Sequence, residues 1–261
     1  MRGVVRELVR VLRAGFAVVV VLGLLAGLPG CGGAKPAART LTVFAAASLT
    51  GTFTVLGKAF EAERPGTSVR FNFGSSAALA QQVSQGAPAD VFAAASPATM
   101  RTVTDAALTR GPATVFVRNQ LRIAVPADNP VRVHTLADLA DPETKVALCA
   151  PQVPCGAAAA KALAAAGLKV HPVTLERDVK ATLTKVELGE VDAALVYTTD
   201  VLAAAGRVRG IAFPEASTAV NDYLIATLKE APAPDLAGEF LALVRSERGR
   251  QVLVRAGFEA P

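Results

Sequence analysis

Two stretches of this chain place serine where a strand pattern gives way to a helical one. In VFAAASLT the serine is Ser48, and in FNFGSSAAL it is Ser75 with Ser76. A helix start offers backbone N–H groups with no intrahelical acceptor and a partial positive charge, so it attracts anions. Small residues before the serine let a ligand approach the backbone, and the hydroxyl adds a donor. The alternative is ordinary N-capping, in which each serine satisfies its own helix. Catalysis fits poorly. Gly74-Ser75-Ser76-Ala77-Ala78 lacks the second glycine of a G-x-S-x-G elbow. The chain holds only two histidines, His134 and His171, in stretches that read as loops or strand starts. It has no G-x-x-x-x-G-K-[ST] loop and no metal-ligand spacing. The residue types favour a binder over an enzyme.

The elements that would position these serines alternate along the chain. LTVFAA (41–46) reads as a strand, and Leu49, Phe53, Leu56 and Phe60 then recur at helical spacing up to Pro65-Gly66. SVRFNF (68–73), DVFAAA (90–95), LRIAVP (121–126), KVALCA (145–150), VHPVTL, AALVY, IAFP and NDYLIATL read as further strands. Helical patterns occupy 76–86, SPATMRTVTDAAL, TLADLADP, 156–166, DVKATLTKVELGE and 235–255. Such alternation predicts α/β architecture with parallel sheets covered by helices. In such sheets ligands bind beyond the carboxyl ends of the strands. No point in the middle reads as a linker, which suits two lobes joined by more than one chain crossing.

Of the 261 residues 52% are hydrophobic and 5% aromatic, enough for a sizeable core. Part of the apolar excess lies elsewhere. Arg2, Arg6, Arg10 and Arg13 precede the uncharged run AGFAVVVVLGLLAGL at 14–28, short for a membrane span, and LPGC closes it at Cys31. The pattern predicts an export signal over 1–30, the alternative being a transmembrane anchor. LPGC resembles the lipobox of bacterial lipoproteins, which implies a lipidated Cys31 at the outer face of the cytoplasmic membrane. Residues 31–39 would be the lipidated cysteine and its flexible tether. The whole chain carries 27 basic and 22 acidic residues, but the leader holds four arginines and one glutamate, so the net charge falls from +5 to +2 after cleavage. With no basic run interleaved with aromatics, nothing points to nucleic acid. Cys149 and Cys155, six apart with Pro151 and Pro154 between them, suit a disulfide in an exported protein. Buried free thiols are the alternative, and zinc lacks ligand spacing.

VFAAASL followed by FGSSAALAQQVSQGAPADVFAAAS closely resembles the molybdate-binding proteins of bacterial ABC transporters. PCGAAAAKAL resembles their P-x-G segment, RDVKATLTKVELGEVDAALVYTTD their D-V-R through V-Y segment, and FLALVRSERGRQVLVRAGF their final helix. The motifs keep their order across 40–258. The resemblance implies a two-lobed, type II periplasmic-binding fold, each lobe a mostly parallel sheet flanked by helices, with the ligand in the cleft. Lobe 1 would comprise 40–120 plus about 213–261, and lobe 2 would comprise 121–212, with crossings near Arg118 to Arg122 and within 210–222. By motif position, hydroxyl donors map to Ser48, Ser76 and Tyr197, with Ser75 a secondary candidate. Backbone donors map to Cys155 and Val179, where a Cys149–Cys155 disulfide would stiffen the turn. Lys180 stands where the family often has arginine. The implied ligand is molybdate, with tungstate, and the implied partner an ABC permease; the protein would act as a monomer with no cofactor and no catalysis. Competing readings are a receptor for sulfate or ferric iron, or a serine hydrolase. Whether the Asp178 carboxylate faces the cleft is open at this level.

Overall fold

Strand β1 (Arg39–Ala46) is buried on both faces, and its alternate side chains enter different cores. In the computed structural model, which describes residues 39–261, Leu41, Val43 and Ala45 join one hydrophobic cluster while Phe44 joins another. Strand β3 (Val91–Ala94) divides in the same way, Val91 and Ala93 against Phe92 and Ala94. That period of two places helices on both sides. Helix α1 (Thr50–Ala62) covers one face and α2 (Ser76–Ser84) with α3 (Pro97–Thr104) the other.

The first sheet has the order β2-β1-β3-β10-β4, with β2 at Thr67–Gly74, β4 at Thr114–Asn119 and β10 at Asn221–Thr227. The second has the order β7-β6-β8-β5-β9, with β5 at Leu121–Pro126, β6 at Val146–Cys149 and β7 at Thr174–Glu176. Its remaining strands are β8 (Ala193–Tyr197) and β9 (Val208–Ile211). Helices α4 (Pro154–Ala165), α5 (Val179–Glu187) and α6 (Thr198–Ala203) follow β6, β7 and β8. Two last helices, α7 (Pro234–Arg245) and α8 (Glu247–Arg255), return to the first sheet, where Phe240 and Leu253 complete its core.

Each sheet is mixed rather than wholly parallel, because β10 runs antiparallel to β3 and β4, and β5 runs antiparallel to β8 and β9. The reversed strands are those that arrive from the other sheet. β5 follows β4 after the single residue Gln120, and β10 follows β9 after 212–220, so neither has the helical return that makes a parallel neighbour. Within that second passage Phe213, Ala216 and Ala219 pack into the core of the second sheet.

Four further differences are local. TVFVRN forms β4, which the sequence reading passed over. IAFP is mostly past the strand, since β9 ends at Ile211 and Pro214 opens the turn. The helix expected over 235–255 breaks at Ser246, whose extended backbone starts α8 and whose hydroxyl accepts from Gly249 N at 3.1 Å. Arg39, expected in the tether, is the first residue of β1, and its N–H reaches Gly66 O at 2.9 Å. The expected signal 1–30, Cys31 and the tether up to 38 lie outside the described residues. Among the described residues no helix is long and apolar enough to cross a membrane.

The spacing of Leu49, Phe53, Leu56 and Phe60 is legible here as one fully buried face. Phe53 has Phe71, Phe116 and Phe240 around it at ring distances of 6.3, 6.0 and 5.8 Å. Phe53→Ala is expected to cost about 3–5 kcal/mol in a denaturant titration. Val55→Ala, on the exposed side of the same helix, should stay within about 0.5 kcal/mol.

Candidate functional site

Beyond the carboxyl ends of β1, β2, β6, β7 and β8 the chain enters a helical segment within a few residues, and these five turns meet in one pocket. Its wall includes Ser48, Ser75, Ser76, Cys155, Val179 and Tyr197, so every oxyanion-binding position expected from the sequence lies on it. The cavity has a volume of about 20 Å³, against roughly 10–15 Å³ for a single water. A compact polyatomic ion is the scale of ligand that fits. A wider cleft of about 390 Å³, bordered by Gln81, Gln82, Gln152 and Arg177, adjoins it and shares Ser75 and Asp178.

Ser75 stands at the N-cap position of α2, but none of the pocket's serine hydroxyls makes a capping bond. Neither the 3-10 turn Ala47–Leu49 that opens α1 nor α2 receives a side-chain capping bond. Ser48 Oγ instead lies 2.8 Å from the hydroxyl of Tyr223, which is fully buried. A proton given by Tyr223 to Ser48 satisfies that phenol and leaves the Ser48 proton free. Ser76 Oγ accepts from Ala95 N at 3.0 Å, which also leaves its own proton free. The hydroxyls of Ser75 and Tyr197 are buried and make no hydrogen bond among the described residues.

The backbone donors arise from how α4 and α5 begin. Pro154 opens α4 without an N–H, and the first helical bond runs from Ala157 N to Val153 O at 3.0 Å. Cys155 N–H, one position after the proline, is left without an intrahelical acceptor. Gly156 is obligatory there, because a Cβ would stand 2.0 Å from Ala150 O. A disulfide joins Cys149 at the end of β6 to Cys155, with Cα atoms 5.7 Å apart. In α5 the cap is Asp178, whose Oδ1 accepts from Lys180 N at 2.9 Å and Ala181 N at 3.0 Å. That geometry answers the question about Asp178. Its carboxylate serves the second and third N–H groups of the helix and leaves the first, Val179 N–H, to the pocket.

No Lys, Arg or His lines the pocket, and its only carboxylate is the capping Asp178. The histidines a hydrolase would need are exposed, His134 on a loop and His171 before β7. No cluster of potential metal ligands occurs among the described residues. The nearest buried charges stand behind the wall. Asp200 is fully buried, and its Oδ2 accepts from Tyr197 N at 3.1 Å. Lys180 Nζ lies 2.9 Å from its Oδ1. Burial pushes the Asp200 carboxyl above its ordinary value, with Lys180 and the Tyr197 N–H opposing the shift. The sequence reading missed this pair, as it missed the part played by Tyr223. The alternation of NDYLIATL was the signal that could have turned Tyr223 inward.

A family model for bacterial extracellular solute-binding proteins matches residues 41–259. Molybdate-binding protein ModA of Mycobacterium tuberculosis is 43% identical over 247 residues, covering 91% of this chain and 95% of that protein. The chain belongs to the molybdate-binding family of bacterial extracellular solute-binding proteins. ModA of Haemophilus influenzae, 34% identical, covers 89% of this solute-binding protein and 95% of its own length. Among solved structures, the periplasmic molybdate-binding protein of Azotobacter vinelandii superposes with a TM-score of 0.74 at 20% identity, covering 85% of this chain and 99% of that one. The sulfate-binding protein SubI of M. tuberculosis gives the same TM-score of 0.74 at 17% identity, covering 85% and 87%. These two likenesses establish the two-sheet periplasmic-binding fold and leave the choice of anion to the site. Its relatives are binders, and this solute-binding protein is not an enzyme.

Burial raises both tyrosine hydroxyls well above their ordinary value, and the neighbouring Asp200 charge adds to the shift in each. Tyr197 and Tyr223 are the only tyrosines, and the chain has no tryptophan. Tyrosinate absorbance is therefore expected to stay absent in the native protein at pH values where it already appears in denaturant, near the ordinary pKa of about 10. The folded state holds these protons where the unfolded chain releases them. Their contribution to stability is full below about pH 10 and declines as pH rises beyond it. A spectrophotometric titration with a parallel melting series reads both.

Proposed function

We propose that this protein captures molybdate, and tungstate with it, outside the cytoplasmic membrane and delivers it to an ABC transporter permease. The single observation that carries the reading is the polarity of the pocket wall. The hydroxyls of Ser48, Ser76 and Tyr197, with Ser75 beside them, and the N–H groups of Cys155 and Val179 form a set of donors. The one carboxylate among them is already occupied by its own helix.

Molybdate and tungstate at neutral pH are doubly charged tetrahedra without a proton, so they only accept hydrogen bonds. Such a wall suits them. Hydrogen phosphate would bring a proton for which the wall offers no free carboxylate, and a buried donor without an acceptor is costly. Sulfate is also acceptor-only and must be rejected by size, molybdate being the larger tetrahedron. The kinship with ModA at 43% identity supports molybdate over the sulfate reading that SubI represents.

In this reading 40–120 with the segment from about 220 onward forms one lobe and 121–212 with the following turn the other. The lobes close on the anion by bending at Gln120 and within 212–220. The permease then selects the closed, loaded form. Cys149 and Cys155 hold the turn that presents one of the donors. The protein acts as a monomer, tethered by a lipid on Cys31.

Calorimetric titration with molybdate, tungstate, sulfate and phosphate tests the ligand. Molybdate should bind far more tightly than sulfate, and equal affinities would sink the assignment. Ser48→Ala and Ser76→Ala should each weaken molybdate binding by about 1–3 kcal/mol, the range for a buried charge-assisted bond. The anchor has its own test. Cys31→Ala should move the protein from the membrane fraction to the soluble fraction in a cell fractionation.

A further inference from the structure

We infer that Lys180 and Asp200 together set the charge that the bound oxyanion experiences, although neither side chain belongs to the pocket wall. The inference rests on the reading of the cleft as an oxyanion site. Asp200 is fully buried and accepts from the backbone N–H of Tyr197, whose hydroxyl lines the pocket. A carboxylate thus stands at the backbone of the residue whose hydroxyl is one of the donors. Lys180 immediately follows Val179, another donor, and reaches back 2.9 Å to Asp200 Oδ1. The pair joins the start of α5 to the start of α6, so one ion contact links the segments that carry two of the three donors from the second sheet, Val179 and Tyr197.

Charge decides its role. An unopposed carboxylate here would repel a dianion, and a partly shielded interior transmits such a repulsion much better than water does. The other charges nearby do not cancel it. Asp178 is itself acidic, with Oδ1 on two backbone N–H groups, and Arg177, 3.7 Å from its Oδ2, has a side chain 90% exposed. Lys180 is the cation that neutralises Asp200, and it does so with a side chain only 35% exposed. The pocket can therefore hold a dianion on neutral donors because the buried carboxylate behind it has already been matched.

The sign of three substitutions tests this. Lys180→Met removes the group that keeps this buried carboxyl ionised. Anion binding should then weaken roughly tenfold at alkaline pH, where Asp200 is charged and unopposed, and the loss should shrink as pH falls and the carboxyl takes up a proton. Asp200→Asn keeps an acceptor for Tyr197 N–H but leaves Lys180 as a net cation, so binding should tighten severalfold. The double variant should return to within about threefold of the wild type. If the pair were only a structural clamp, all three variants would bind more weakly, and that result overturns the proposal. Should Lys180→Met fail to fold, Asp200→Asn alone decides: tighter binding supports the proposal and weaker or unchanged binding overturns it. The measurement is calorimetry with molybdate, tungstate and sulfate on the whole protein. Wild-type affinities read the ligand assignment by themselves, and the ratios between variants read the ion pair for whichever anion binds. A wild type that binds none of the three overturns both.

Discussion

The site depends on helix starts whose leading N–H groups no side chain of the protein has claimed. An α-helix begins with N–H groups that its own turns cannot satisfy, and most helices cover them with a cap. Here the covering is selective. Pro154 removes one donor of α4 and leaves Cys155 N–H available, while Asp178 takes two donors of α5 and leaves Val179 N–H available. The hydroxyl of Ser48, before α1, pairs with that of Tyr223, and the hydroxyl of Ser76, the first residue of α2, accepts from Ala95 N; neither bonds to its own helix. With Tyr197 at the end of β8, five turns from two sheets thus present protons to one small volume.

That arrangement explains how a pocket without a basic side chain can suit an anion. Fixed cations would attract any anion, protonated or not, whereas donors in fixed positions reward an acceptor-only tetrahedron of one size. The buried charges are kept one layer away and paired with each other. The helices on both faces of the first sheet serve this end by holding strand termini in register, so that Ala46 and Gly74 both finish on the pocket wall.

Much of this was legible in the residues. The strand–small residue–serine–helix form marked Ser48, Ser75 and Ser76, and the spacing of Leu49, Phe53, Leu56 and Phe60 marked the helix that follows. Cys155 and Val179 were legible only through the motifs around them, because a main-chain donor leaves no signature in residue type. The direction of the Asp178 carboxylate could not be read, since an aspartate before a helix may cap it or face outward, and only coordinates separate the two. The Lys180–Asp200 pair stayed hidden for a different reason: twenty residues and a strand separate its members, and nothing local couples them. The strand TVFVRN escaped because Arg118 and Asn119 end it in polar residues, and Gln120 alone separates it from the next strand. The reversal of β5 and β10 follows from the way the chain changes sheets, a property of topology that no window of sequence contains.

The two tyrosines come from different sheets, Tyr197 from β8 and Tyr223 from β10, yet their rings lie 6.1 Å apart and near perpendicular. With no tryptophan to take up their excitation, they dominate the protein's intrinsic fluorescence. Any movement of one sheet against the other changes the separation of this pair and the shielding of both rings from solvent. The fold thus contains its own optical gauge of cleft opening, placed at the cleft and needing no attached dye.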